Sequence, residues 1–145
     1  MQLFIQKLSV TKKEDYYRLL KKYIFLTTMI ALPIYLFFYI YSVELFVFVF
    51  GNNWRLAGEI GSIISIWSIF SISTITISNF LTLVHRQEIV LIFSILYSLV
   101  LGIVFFFFNT GEFLTTFSNM VFFMIILNIL FVLYGLLIAR DLYKT

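Results

Sequence analysis

The stretch IVLIFSILYSLVLGIVFFFF, residues 89–108, decides the fold of this chain. It carries no charged residue, and its length matches the ~20 residues that an α-helix needs to cross the hydrocarbon core of a bilayer. Further apolar runs cover residues 24–50, 60–84 and 117–139. Backbone polar groups in lipid must be satisfied within their own segment, so helices are expected. The pattern predicts an all-α, polytopic transmembrane helical bundle with four spans.

The composition agrees with a membrane protein. Of the 145 residues, 62% are hydrophobic and 12% are charged, and the mean hydropathy is +1.05, whereas soluble domains carry about 25% charged residues. The chain has no cysteine and one histidine, which excludes disulfides and thiolate metal sites. It also has no phosphate-binding glycine loop, zinc-protease motif or nucleophile elbow. We therefore expect no enzyme, no cofactor, no metal site and no nucleic-acid partner.

The distribution of cations predicts the orientation in the membrane. Six of the ten Lys and Arg lie between Lys7 and Lys22, two lie in the carboxy-terminal tail, and Arg55 and Arg86 lie in the breaks after the first and second runs. With four spans, nine of the ten cations fall on one side. By the positive-inside rule, both termini are expected in the cytoplasm.

Residues 1–22 form a basic, amphipathic segment of their own. Residues 11–14 fit a capping box, and Tyr16 and Leu20 follow at helical spacing on the side away from the cations. This predicts a short cytoplasmic interfacial helix, followed by a four-span membrane bundle at residues 23–145. A binding patch for an anionic substrate or lipid is the alternative. Anchoring is favoured because juxtamembrane cations generally serve orientation.

Glu44 is the one acid inside a predicted span. A carboxylate in the membrane is a candidate for proton or cation coupling. It is also within two turns of Gly51, roughly 10 Å from the loop at ~1.5 Å per residue. A position near the outer interface is favoured, because a charge there is far less costly than one at mid-depth.

The second span is rich in Ser and Thr and has one purely apolar sector, which we expect to face lipid. That sector contains Ile63, Ile66, Phe70, Ile77, Leu81 and Val84. The polar remainder is expected to face other helices or a wet cavity, and both alternatives stay open because Ser and Thr can bond to their own helix. Ser65, Ser68 and Asn79 are the cavity-lining candidates, with Asn79 the strongest because its amide is difficult to satisfy locally.

Small residues recur at four-residue spacing in the last two spans. Ser94, Ser98 and Gly102 form one row, and Gly135 and Ala139 form another. Such rows allow helices to approach closely. We expect both rows to be packing seams.

A family resemblance rests on several short stretches. They are FIQKLS at residues 4–9, LPIY at 32–35, VFGNNWRLAG at 49–58, the Ser-rich span and the Arg86-Gln87 pair. Together they resemble the carboxy-terminal part of bacterial polysaccharide flippases of the O-antigen and teichuronic-acid type. In that family an FG, a Trp and an AG lie in an outer loop between two spans, as Phe50-Gly51, Trp54 and Ala57-Gly58 do here.

The resemblance implies membership of the multidrug/oligosaccharidyl-lipid/polysaccharide exporter superfamily, whose members have two lobes of helices. It implies the carboxy-terminal section of an inner-membrane flippase that moves undecaprenyl-linked oligosaccharide units by alternating access. Many members line the cavity with cations that meet the lipid diphosphate. This chain has no Lys or Arg at mid-depth, so those residues are expected in a missing amino-terminal section or partner subunit. No site residue is carried over from the family.

Two other functions remain open. A small, self-sufficient oligomeric four-span transporter would need a membrane-embedded charge for coupling, and Glu44 is the candidate. A non-transporting accessory subunit would scaffold glycan assembly without moving a substrate.

Overall fold

Four long helices follow one another in the chain. The structure, a computed structural model, describes residues 16–108 and 111–144. The helices are α1 (Tyr16–Phe50), α2 (Arg55–Leu83), α3 (Gln87–Phe107) and α4 (Phe113–Lys144), and a 3-10 turn at Asn52–Trp54 joins α1 to α2. All four are long and apolar enough to cross a membrane. The predicted all-α bundle with four spans is confirmed.

Helix α1 is continuous over 35 residues, about 52 Å at 1.5 Å per residue, which exceeds the ~30 Å hydrocarbon core. Residues 16–22 are its first turns. Leu20 is fully buried, and the ring of Tyr16 meets the edge of Phe80 at a centroid distance of 6.0 Å. Residues 16–22 therefore continue directly into the first span, and their apolar side packs against α2, while their position at the membrane interface stays a prediction. The predicted capping box at residues 11–14 lies outside the described residues.

Gly51 ends α1 and redirects the chain. Its backbone has φ 90°, a left-handed conformation that favours glycine. Its N–H donates to the carbonyl of Val47 at 2.9 Å. Helix α2 then begins five residues before the predicted span, because the polar pair Arg55 and Glu59 continues the helix with an i,i+4 contact of 3.5 Å.

The turn between α2 and α3 is a Schellman motif. The N–H of Arg86 donates to the carbonyl of Leu81 at 2.8 Å, and the N–H of His85 donates to the carbonyl of Thr82 at 3.2 Å. His85 has φ 57°, the left-handed residue that this motif requires. The single histidine therefore occupies the left-handed position of the turn that ends α2.

Helices α2 and α4 form the centre of the bundle. Helix α2 contacts the other three helices, whereas α1 and α3 make no contact within the described residues. We call the end near Gly51 the loop end and the end near His85 the turn end. The tightest apolar cluster is at the turn end and consists of Leu20, Ile77, Phe80, Leu81, Phe131 and Ala139.

The two predicted packing seams have different outcomes. On α4, Ala139 is fully buried, and a side chain at Gly135 would collide with Ile77, so this row is a seam as predicted. On α3, Ser94 and Ser98 are exposed, and no atom lies within 4 Å of a Cβ built at Gly102. The prediction for α3 is wrong within the described bundle, because no neighbouring helix covers that side.

Helices α1 and α2 touch backbone to backbone near the loop end. A Cβ built at Gly58 would lie 2.6 Å from the Cα of Val43, and one built at Gly61 would lie 2.5 Å from Oγ of Ser42. Ser42 is almost fully buried in this contact. The contact places Gly58 level with Val43 and fixes the depth of the neighbouring Glu44.

Candidate functional site

Glu44 faces away from the bundle. It lies two residues after the buried Ser42, about 200° further round the helix, and it is exposed. Among the described residues its carboxylate has no ion pair and no hydrogen bond. Arg55, the nearest cation in the sequence, pairs instead with Glu59. Glu44 lies at the same height in the bundle as Gly58, near the loop end. This height agrees with a position towards the edge of the membrane, where a charge is least costly.

The predicted faces of α2 are wrong at the turn end. Ile77 and Leu81, assigned to the lipid side, are fully buried. The small residues of α4, Gly135 among them, leave room for these large side chains. On the other side of α2, Ile75 is 47% exposed and Thr82 is exposed. The apolar sector of α2 thus packs inside the bundle, and part of its polar side faces outwards.

The three cavity candidates on α2 do not form one site. Ser65 is buried, and its hydroxyl donates to the carbonyl of Gly61 at 2.7 Å. Ser68 donates to the carbonyl of Ile64 at 2.9 Å in an exposed bond. Asn79 is half-buried, about 16 Å from Ser68 along the helix at 1.5 Å per residue. Ser65 belongs to the contact with α1, whereas Ser68 and Asn79 lie towards the outward side of α2, which contains the exposed Ile75 and Thr82.

The contacts of α3 show where this outward side of α2 lies in the bundle. Phe93 stacks on Phe131 of α4 with a centroid distance of 4.0 Å. The phenol of Tyr97 lies beside the indole of Trp67 on α2, although the indole N–H makes no hydrogen bond of ordinary geometry. Ser94 and Ser98 come next, about 60–100° beyond Tyr97 around α3. They therefore lie on the open side of α3 that adjoins the outward side of α2, away from α4.

The same order holds around α2. Ile77 faces α4 and Trp67 faces α3. Going round α2 from Trp67, Ile75 comes about 80° further on, and Gly61, which contacts α1, comes after Ile75. The outward sides of α2 and α3 therefore form one surface, which we call the hydroxyl face. It consists of Ser68, Ser71, Ser78, Asn79, Thr82, Ser94 and Ser98.

The hydroxyls of this face stay available although many bond to their own helix. Thr82 donates to the carbonyl of Ser78 at 2.9 Å, Ser94 to that of Val90 at 2.9 Å and Ser98 to that of Ser94 at 3.0 Å. These bonds use the hydroxyl hydrogen and leave the oxygen lone pairs free to accept. The hydroxyl face can therefore accept hydrogen bonds from water or from a hydroxylated ligand.

A second polar cluster lies inside the bundle. The hydroxyls of Thr28 on α1 and Ser73 on α2 are 3.3 Å apart, and Thr74 donates to Oδ1 of Asn128 on α4 at 3.0 Å. Sequence reasoning did not pair these residues, because they are more than forty positions apart in the chain. The signal that could have indicated the cluster is Asn128, an amide in a strongly apolar run.

The described site residues are hydrogen-bonding groups. No group of three His, Asp or Glu able to hold a metal ion occurs among residues 16–108 and 111–144. The described cations Arg18, Lys21 and Lys22 are exposed at the turn end. The arrangement can bind and orient polar groups by hydrogen bonds.

By its four apolar helices, the chain is a multi-pass membrane protein. Comparison with known protein families, with curated proteins and with solved structures finds no match.

Proposed function

We propose that this chain is the carboxy-terminal section of a flippase that translocates undecaprenyl-linked oligosaccharide across the bacterial inner membrane. The turn end faces the cytoplasm, because five of the described basic residues, Arg18, Lys21, Lys22, Arg86 and Arg140, lie at that end. Two observations support this proposal. One is the sequence resemblance to polysaccharide flippases, and the other is the hydroxyl face on the outward side of the four helices.

The hydroxyl face is the observation that carries the proposal. Polar side chains facing lipid gain nothing from the apolar tails, and in membrane helices they usually face a partner or a water-filled cavity. Here they lie on the outward side of α2 and α3, where Thr82, Ser94 and Ser98 are exposed and the other four are half-buried. A second lobe placed against this face would enclose a cavity lined by hydroxyls.

Such a cavity suits a saccharide. Sugar hydroxyls both donate and accept hydrogen bonds, and Ser and Thr oxygens can accept them. A groove of about 500 Å³ between α1 and α2 borders the face, and Ile72, next to Ser68 around α2, forms part of its wall. The diphosphate requires positive charge, which we place in the amino-terminal section, because residues 23–54 contain no Lys or Arg.

Glu44 does not favour the self-sufficient transporter. Its exposed carboxylate points away from the hydroxyl face and the interior, and it lacks a described partner. A coupling group would need to face the cavity whose access it controls. Glu44→Gln is therefore expected to leave transport intact.

The test is complementation of a flippase-deficient strain. Residues 1–145, a matching amino-terminal section, and both together are expressed, and surface glycan is measured. We expect glycan only with both pieces. Restoration by the short chain alone would refute the section model and favour the small oligomeric transporter.

A matched pair of variants then tests the face itself. Ser78→Leu places a bulky apolar group on the hydroxyl face, and Ile64→Leu is the control on the same exposed side of α2. We expect reduced glycan for Ser78→Leu at unchanged protein level. Equal activity of the two variants would remove the hydroxyl face from the mechanism.

A further inference from the structure

A groove between α1, α2 and α4 contains a polar wall in an otherwise apolar surround. Its volume is about 180 Å³, and it is lined by Thr28, Ile69, Phe70, Ser73, Asn128, Ile129, Val132 and Leu133. Ser73 faces α1 and α4 here, so this groove opens on a different side of α2 from the hydroxyl face.

The amide of Asn128 is only half satisfied. The residue is 3% exposed, and its Oδ1 accepts from Thr74. Its Nδ2 is buried and has no hydrogen-bond partner. Exchanging the two amide atoms would leave Oδ1 without a partner instead, so the deficit does not depend on how the amide is assigned. A buried polar group without a hydrogen-bond partner is rare, and it indicates that a bound molecule supplies the missing partner.

We propose that this groove binds water, which completes the hydrogen bonding of Asn128 and links its amide to the Thr28–Ser73 hydroxyl pair. A buried water needs about 10–15 Å³ of accessible space and two to four polar partners. The groove of about 180 Å³ exceeds the first requirement. Asn128, Thr28 and Ser73 meet the second.

The position of the site makes water the occupant rather than a lipid group. Asn128 lies midway along α4 and Ser73 lies about 15 Å from the turn end of α2 at 1.5 Å per residue, close to the middle of a ~30 Å hydrocarbon core. Ester and headgroup oxygens do not reach that depth, and acyl chains offer no acceptor. The Nδ2 atom is covered in the present rotamer, so binding of this water requires a rotation of the amide that turns Nδ2 towards the groove.

The inference is independent of the proposed function, and water itself is the probe. The full chain, labelled with ¹³C,¹⁵N-asparagine and ¹³C-leucine, is placed in lipid bilayers for water-edited solid-state NMR. Leu127-Asn128 is the one Leu-Asn pair in the sequence, so the leucine carbonyl identifies the backbone nitrogen of Asn128, and the asparagine carbons connect that nitrogen to Nδ2 without a substitution. We expect magnetisation to pass from water to the Nδ2 protons of Asn128 during a short mixing time.

Two variants separate a bound water from general hydration. Thr28→Val removes one polar partner with little change in shape, and we expect loss of most of the water-transferred Asn128 signal. Thr27→Val is the matched control, because the Thr27 hydroxyl bonds to the carbonyls of Tyr23 and Ile24 on its own helix. Its signal should match that of the wild type. Transfer no faster than to buried leucine methyls, or equal transfer in both variants, would overturn the proposal.

Discussion

At the scale of single residues, three helical glycines lie in different surroundings. Gly58 faces the backbone of α1, Gly135 faces the side chain of Ile77, and Gly102 faces open space. Helix propensity alone penalises glycine equally at all three positions. The effects of replacing these glycines by alanine should therefore differ only because the added methyl meets a neighbouring helix at some positions and not at others.

We predict opposite effects for Gly58→Ala and Gly102→Ala. A Cβ at position 58 would lie 2.6 Å from the Cα of Val43, and forcing the helices apart should cost about 1–3 kcal/mol. At position 102 the added methyl meets nothing, so the better helix former should stabilise by roughly 0.5–1 kcal/mol. Unfolding by SDS titration in mixed micelles, followed by circular dichroism, measures both. Similar changes at the two positions would contradict the α1–α2 contact.

A second prediction concerns the turn between α2 and α3. His85 holds φ 57°, a conformation that costs a non-glycine residue roughly 1 kcal/mol. His85→Gly should therefore stabilise the bundle by about that amount in the same unfolding assay. Arg86, at φ −112°, supplies the control, because Arg86→Gly relieves no strain and should not stabilise. A stabilising effect of Arg86→Gly alone would disprove the Schellman assignment.

At the scale of elements, the sequence predicted the four helices because each apolar run is long enough to leave no alternative in lipid. It missed their starts, since polar residues such as Arg55 and Glu59 extend the helices beyond the apolar runs. The faces of α2 were also missed. In a bilayer an apolar side chain such as Ile77 suits lipid and helix packing equally, so hydropathy does not distinguish the two.

The exposed and buried sides of α2 can be tested with spin labels. The chain has no cysteine, so Ile75→Cys and Ile77→Cys each carry one nitroxide in lipid nanodiscs. We expect a mobile label at 75, which is 47% exposed, and an immobilised one at the fully buried 77. Ile64→Cys, also on the exposed side, should resemble position 75. A mobile label at 77 would restore the lipid-facing assignment of the apolar sector.

At the scale of the whole molecule, the candidate site could be predicted only by residue type. Ser68 and Asn79 stood out as polar groups within an apolar run, and both belong to the hydroxyl face. Its extension onto α3 depends on which helices meet, as does the link from Thr74 to Asn128. Those contacts join distant parts of the chain, and no period within one helix encodes them. Helix packing in lipid depends on shape, which hydropathy does not describe.

The orientation of the whole bundle gives the last prediction. With four spans, the sequence predicts nine of the ten cations on the side of the turn end, and moving them across the membrane would oppose the positive-inside rule. Arg86 in the α2–α3 turn should therefore face the cytoplasm, while Asn53 and Glu112 face outwards. In the cysteine-free chain, Asn53→Cys and Glu112→Cys should react with a membrane-impermeant maleimide in intact cells.

Arg86→Cys is the matched variant, because position 86 is also exposed in a short connection. It should react only after the membrane is opened. This contrast tests the first three spans, since omitting α1 or α2 would place Arg86 outside, and omitting α3 would place Arg86 and Glu112 on the same side. Labelling of position 86 in intact cells, with position 53 protected, would reverse the topology and place the turn end outside.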